Sequence, residues 1–164
     1  MLISRGTRIL LTERLRGLFG SPPPRLQVAA LPWRVNKKGA IEILMVTSRE
    51  SRRWVVPKGW PEGEESLSAA AAREAREEAG VSGIISSQEL GSFHYGKRLV
   101  SGLERRCQVL IFPLEVKKVA DKWPEKKRRT RQWFAPAEAA QAVDEPDLGE
   151  LIARFGGNPS ESAA

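Results

Sequence analysis

The sequence predicts an α/β fold, with helices on both faces of a mixed β-sheet in an α/β/α sandwich. Three observations predict it. Strand-like and helix-like segments alternate irregularly along the chain, which favours a mixed sheet over a bundle or an all-β sandwich. The length of 164 residues with 41% hydrophobic content suffices for one well-buried core. The longest apolar runs, Ile9–Leu11, Val28–Pro32 and Val109–Leu114, fall far short of the roughly 18–20 residues of a membrane span.

Residues 1–24 open with Leu11, Leu15 and Leu18 at helical spacing, interleaved with Arg8, Arg14 and Arg16, and end in Ser21-Pro22-Pro23-Pro24. This reads as an extra basic amphipathic N-terminal helix on a stiff proline linker. It would dock on its own domain or on a second subunit, as in a homodimer, with a membrane-surface or targeting role as the alternative. It lacks the longer apolar core and small-residue cleavage site of a secretory signal.

The domain proper is expected over 25–156. Leu26–Val35 and Ile41–Thr47 are apolar and β-branched, and Asn36-Lys37-Lys38-Gly39 between them is a hairpin-type turn. Trp54-Val55-Val56 is a short third strand stopped by Pro57. Glu64–Ala79 is rich in alanine, glutamate and arginine and is followed by Gly80, the pattern of a helix with a glycine C-cap. Further strands are expected at Glu89–Tyr95, Lys97–Val100, Arg105–Val116 and Arg131–Phe134. Pro136–Val143 and Pro146–Phe155 read as short helices with proline in the first turn. Residues 157–164 read as a disordered tail.

One cysteine, Cys107, excludes an internal disulfide, and with one histidine, His94, no Cys/His zinc site can be assembled. A reducing, cytoplasmic compartment is the default. Cys107 alternates within an apolar strand and reads as core. The net charge of +7 fits an anionic partner.

Glu74, Glu77 and Glu78 stand at i, i+3 and i+4 of the central helix, so their carboxylates share one face. Like charges so placed repel, and a cation should compensate. Hard oxygen donors grouped this way suit Mg²⁺ or Mn²⁺ bridging to phosphate oxygens. Gly59 precedes Glu65 by five intervening residues, and seven more lead to Arg73-Glu74-Ala75-Arg76-Glu77-Glu78-Ala79-Gly80-Val81. This resembles the Nudix hydrolase signature G-x5-E-x7-R-E-U-x-E-E-x-G-U, with Ala75 at a position normally filled by a larger aliphatic residue. The resemblance implies a Nudix-type sandwich and metal-dependent hydrolysis of a pyrophosphate bond by water. It implies Gly59, Glu74, Glu77 and Glu78 as metal site, Glu77 also as base, and Arg73 and Glu65 as a pair that organises the loop. Glu104 is the alternative base on a loop outside the signature.

The entrance Trp54-Val55-Val56-Pro57-Lys58-Gly59 and the later Arg131-Gln132-Trp133-Phe134 resemble the diphosphoinositol-polyphosphate and diadenosine-polyphosphate branch of that family. Lys117–Arg131 carries eight basic and two acidic residues, a balance of +6, whereas Gly59–Val81 carries six glutamates and two arginines, a balance of −4. Such a contrast suits a small-molecule polyphosphate whose scissile phosphates bind metal while others are gripped by Lys and Arg. Arg53, Lys58, Tyr95, Arg129 and Arg131 are the expected substrate-binding residues. Trp33, Trp60 and Trp123 are candidates for base stacking or core packing, and His94 for a phosphate contact or a structural role. RNA 5′-pyrophosphohydrolase and ADP-ribose pyrophosphatase are the alternative activities, and nucleic acid would enter only as substrate. A Nudix-fold regulatory or nucleic-acid-binding module is the non-enzymatic alternative.

Overall fold

The computed structural model describes residues 23–157; the predicted N-terminal helix and the tail after Gly157 lie outside the described residues. Eight strands form one mixed sheet. At its centre β1 (Arg25–Val35) and β7 (Glu104–Val119) run parallel, in register from Arg25 opposite Cys107 to Trp33 opposite Glu115. β2 (Ile41–Thr47) pairs antiparallel with β1, with β3 (Trp54–Val55) and with β8 (Arg131–Phe134). The short β4 (Lys58–Gly59) lies antiparallel on β1. β5 (Val81–Ile85) and β6 (Gly91–Arg98) both pair antiparallel with β7.

The central strands are apolar on both faces because both are covered. Ala29, Leu31, Ile43, Met45, Val109 and Ile111 face α2 (Pro136–Ala142) and α3 (Pro146–Gly157), and pack with Leu148, Ile152 and Phe155. Val28, Ala30, Leu44, Val46 and Leu114 face the other way, onto Ala70, Ala71 and Ala75 of α1 (Leu67–Glu74) and the π-turn Ala75–Ala79 that continues it. The alanines of α1 let the helix approach the sheet closely, which brings its carboxylates to the sheet edge.

Several boundaries differ from the sequence reading. The central helix begins at Leu67, because Ser66 caps it by accepting from the Ala69 amide at 3.2 Å. Glu64 and Glu65 belong instead to the preceding loop. Residues 75–79 form a π-turn, a widening common at functional sites. Glu89–Tyr95 and Lys97–Val100 are not two strands, since β6 runs unbroken through Gly96. Val56 lies outside β3, and β4 and β5 had no sequence signal of their own. Gly157, assigned to the tail, closes α3. The turn at Asn36–Gly39 is as expected: the Asn36 side chain accepts from the Lys38 and Ala40 amides, and Gly39 has φ +80°.

Candidate active site

The signature segment is closed at both ends by glycine. Gly80 sits in the left-handed region (φ +65°) as C-cap of the π-turn, and its missing Cβ leaves room for Arg131 and the Trp123 ring. At the other end a Cβ on Gly59 would stand 2.2 Å from Glu74 Oε1. The backbone of β4 therefore lies directly against the Glu74 carboxylate, an approach only glycine permits.

Glu74 and Glu78 are buried and Glu77 is half exposed. Burial pushes the Glu74 carboxyl above its ordinary range, opposed by Arg73. Burial also pushes Glu78 up to about 7, opposed by Arg129. Each buried carboxylate is tied to one arginine. Arg73 Nη1 lies 2.8 Å from Glu74 Oε1 and 3.6 Å from Glu77 Oε2, so one guanidinium nitrogen stands between two of the three acidic groups. Arg73 also donates through Nη2 to Glu65 at 2.8 Å and to the Trp60 carbonyl at 3.0 Å. Glu65 in turn accepts from the Glu62 amide at 2.9 Å, and Arg73 holds its carboxyl below the usual carboxylate range. The loop from Trp60 to Glu65 is thus strapped to the helix by a single guanidinium.

Glu78 accepts the Lys58 backbone amide on Oε2 at 3.1 Å and bonds Arg129 through Oε1. Arg129 is 6% exposed. Its other donors go to Glu125 and to the Thr47 carbonyl, the latter at 3.0 Å. No spacing rule pointed to this arginine as a partner of Glu78, which lies 51 residues away.

Among the described residues, no three carboxylate, histidine or cysteine side chains already surround one point. The donor set nevertheless fits a hard divalent cation. Two desolvated carboxylates on one helix face, a third beside them and a closely apposed glycine backbone supply oxygen only. Arg73 Nη1 marks a position between Glu74 and Glu77 that already accommodates positive charge.

The predicted substrate-binding residues divide. The Lys58 ammonium lies 4.9 Å from the Tyr95 ring centroid, and burial lowers its pKa. Tyr95 donates to Gln27 Oε1 at 2.5 Å, and burial raises its pKa. These two side chains therefore meet each other, while the Lys58 backbone amide bonds Glu78. Arg53 is held by two carboxylates, 3.0 Å from Asp144 and 3.3 Å from Glu145. Arg129 and Arg131 do not project from an open loop. Arg131 stacks 3.9 Å from the Trp123 ring centroid and donates at 2.8 Å to the carbonyls of both Ala79 and Ala120. It anchors the end of the signature helix.

Glu104 starts β7 in the β6–β7 hairpin, its carboxylate lying over Gly96, where a Cβ would come within 1.4 Å of it. His94 donates its backbone amide to Asp147 at 2.9 Å, with the ring also facing that carboxylate. Cys107 is buried, as expected, and Trp33 packs edge-on against Phe155 at 5.6 Å. Sequence reasoning missed Gln27, a buried polar residue inside an otherwise apolar strand; that interruption was the available signal.

The family model for the NUDIX domain matches residues 23–155. Nudix hydrolase 16, mitochondrial, of Arabidopsis thaliana is 34% identical over 140 residues, covering 78% of this chain and 77% of that protein. Nudix hydrolase 12, mitochondrial, of the same plant is 39% identical over 111 residues, covering 65% of this chain; the chain spans about half of that relative's length (53%). Diphosphoinositol polyphosphate phosphohydrolase 3-beta of Bos taurus is 29% identical over 140 residues, 82% of this chain and 80% of that protein. Among solved structures, the Ap4A hydrolase of C. elegans superposes with a TM-score of 0.58 at 20% identity, over 84% of this chain and 99% of that one, a likeness of fold.

Proposed function

The chain belongs to the Nudix hydrolase family, and from that premise we propose that it cleaves a pyrophosphate bond in a phosphorylated small molecule with Mg²⁺ or Mn²⁺ bound at Glu74, Glu77, Glu78 and the Gly59 carbonyl. The observation that carries the proposal is the pair of buried carboxylates, Glu74 and Glu78, set against the glycine backbone with half-exposed Glu77 beside them. A divalent ion held by these residues would supply positive charge against the phosphates and make nearby water more acidic. Glu77, the most open of the three, would take the proton from attacking water. The water oxygen forms a new bond to phosphorus as the bridging P–O bond breaks, and the leaving phosphate carries the electron pair away. Arg73 with Glu65 holds the loop and helix in mutual position. Lys58 and Tyr95 would supply a cation and a ring to the substrate beside Glu78.

The substrate class in this reading is a nucleoside polyphosphate, a diadenosine polyphosphate or an inositol pyrophosphate. The names of the bovine relative and the C. elegans neighbour support that choice. The test is a panel of pyrophosphate compounds, including ADP-ribose and 5′-triphosphate RNA, assayed with each metal and with products identified. Glu77→Gln and Glu78→Gln should each reduce turnover by about 10² or more with the fold retained on melting. Full turnover in both variants would overturn the assignment.

A further inference from the structure

Trp60 follows Gly59 directly, and Arg73 fixes its carbonyl beside the acidic site at 3.0 Å. Two cations converge on its indole: Arg25 Cζ lies 4.6 Å and Lys97 Nζ 5.2 Å from the ring centroid. Arg25 comes from the first residue of β1 and Lys97 from the end of β6, strands that both pair with β7. Arg25 and Tyr95 are each the register partner of Cys107, so the Arg25 row ends at the tyrosine that covers Lys58. Lys97 stands opposite Arg105 across the hairpin. Like charges directly opposite on antiparallel strands repel. Neither Arg25, Lys97 nor Arg105 forms an ion pair among the described residues.

Resting on the hydrolase reading, we propose that Arg25, Trp60 and Lys97 form a phosphate clamp on the hairpin side of the acidic site, taking substrate phosphates beyond the pair being cleaved. The indole serves as the mount that holds two cations together, rather than as a platform for a base. Two cations seated on one ring, neither of them ion-paired, suit a chain or cluster of phosphates, since one polyanion answers both charges. Specificity for phosphate number would then be set by β1, β4 and β6, and not by the Lys117–Arg131 segment, whose Arg129 and Arg131 are engaged internally.

The experiment titrates inorganic tripolyphosphate into the metal-free protein with chelator present, by calorimetry, and measures KM for diadenosine tetraphosphate and ADP-ribose with metal. Arg25→Ala and Lys97→Ala should each weaken tripolyphosphate binding about three- to tenfold. They should raise KM for the tetraphosphate with little change for ADP-ribose and an unchanged kcat. Trp60→Ala should lose as much as either, and Trp60→Phe should recover most of it, because a ring remains to seat the cations. Lys37→Ala with Lys38→Ala, in the β1–β2 turn, should change nothing. The clamp is overturned if the wild type does not bind tripolyphosphate, or if Lys122→Ala with Lys127→Ala accounts for the loss while Arg25→Ala and Lys97→Ala do not. Tripolyphosphate binding through Arg25 and Lys97 without hydrolysis of any compound would instead remove the hydrolase reading and leave the clamp standing.

Discussion

In the segment from Lys117 to Arg131, the guanidiniums of Arg129 and Arg131 turn inward, onto Glu78 and onto the carbonyls that close the signature helix. In the β6–β7 hairpin, Lys97 and Arg105 sit opposite each other at the rim with no carboxylate partner among the described residues. Both stretches are strongly basic in sequence, but Arg129 and Arg131 of the first are engaged internally, whereas Lys97 and Arg105 of the second form no ion pair among the described residues. The difference lies in what each backbone is tied to. The first segment packs against the acidic helix, where the Glu125 amide donates to the Glu77 carbonyl at 3.1 Å and the Ala120 amide to the Gly80 carbonyl at 2.8 Å. Its arginines reach buried acceptors that would otherwise be unsatisfied. The hairpin extends past the sheet, and its tip exposes Val100 and Leu103. Lys97 and Arg105 there face each other instead of a carboxylate.

The sharpest way to break this contrast is to remove one charge from each region and compare stabilities. Arg129→Ala leaves Glu78 buried with only the Lys58 amide as donor, and removing one member of a buried pair costs about 3–5 kcal/mol. Lys97→Ala and Arg105→Ala should remain within about 0.5 kcal/mol of wild type. Urea denaturation of the chelated proteins measures all three. Equal costs in the two regions would show that the inward arginines are as dispensable to the fold as the rim. Arg131→Ala is expected to fall between, at about 1–3 kcal/mol, through the lost ring stacking and the two 2.8 Å carbonyl contacts.

These costs also mark where the sequence was readable. Gly59, Glu65, Arg73 and the acidic triplet are separated by short fixed spacings, so a local pattern places them together before any tertiary contact is known. The buried faces of β1 and β2 were visible as unbroken apolar runs. The inward turn of Arg129 was not visible, because burying a guanidinium depends on a carboxylate 51 residues away and a carbonyl 82 residues away. Counting +6 over the run treated every cation as solvent-facing. The unbroken β6 was hidden for a related reason: Gly96 reads as a break, yet the Glu104 side chain of the neighbouring strand fills the space its missing Cβ leaves. The π-turn has no local cue either, since an alanine-rich segment favours ordinary helix at every position.

Glu65→Gln carries the smallest expected effect and refines the comparison from the acidic side. The amide keeps the shape of the carboxylate and an oxygen to accept from the Glu62 amide and from Arg73, but removes the charge that answers the guanidinium. Arg73 holds the folded-state pKa of Glu65 below its ordinary value of 4.5. A carboxylate so depressed contributes stability that is fully present above about 4.5 and is lost as pH falls through the lower folded value. The melting difference between wild type and variant should therefore be open at pH 7 and close on acidification. Because the pair lies partly in solvent, the difference should be small and shrink further in high salt. Turnover should fall by less than about tenfold, since Arg73 keeps its contacts to Glu74 and to the Trp60 carbonyl. A melting difference that stays constant from pH 7 down to pH 3 would mean that Glu65 holds the loop through hydrogen-bond geometry alone. The Arg73 strap would then differ in kind from the buried Arg129–Glu78 pair, rather than only in exposure.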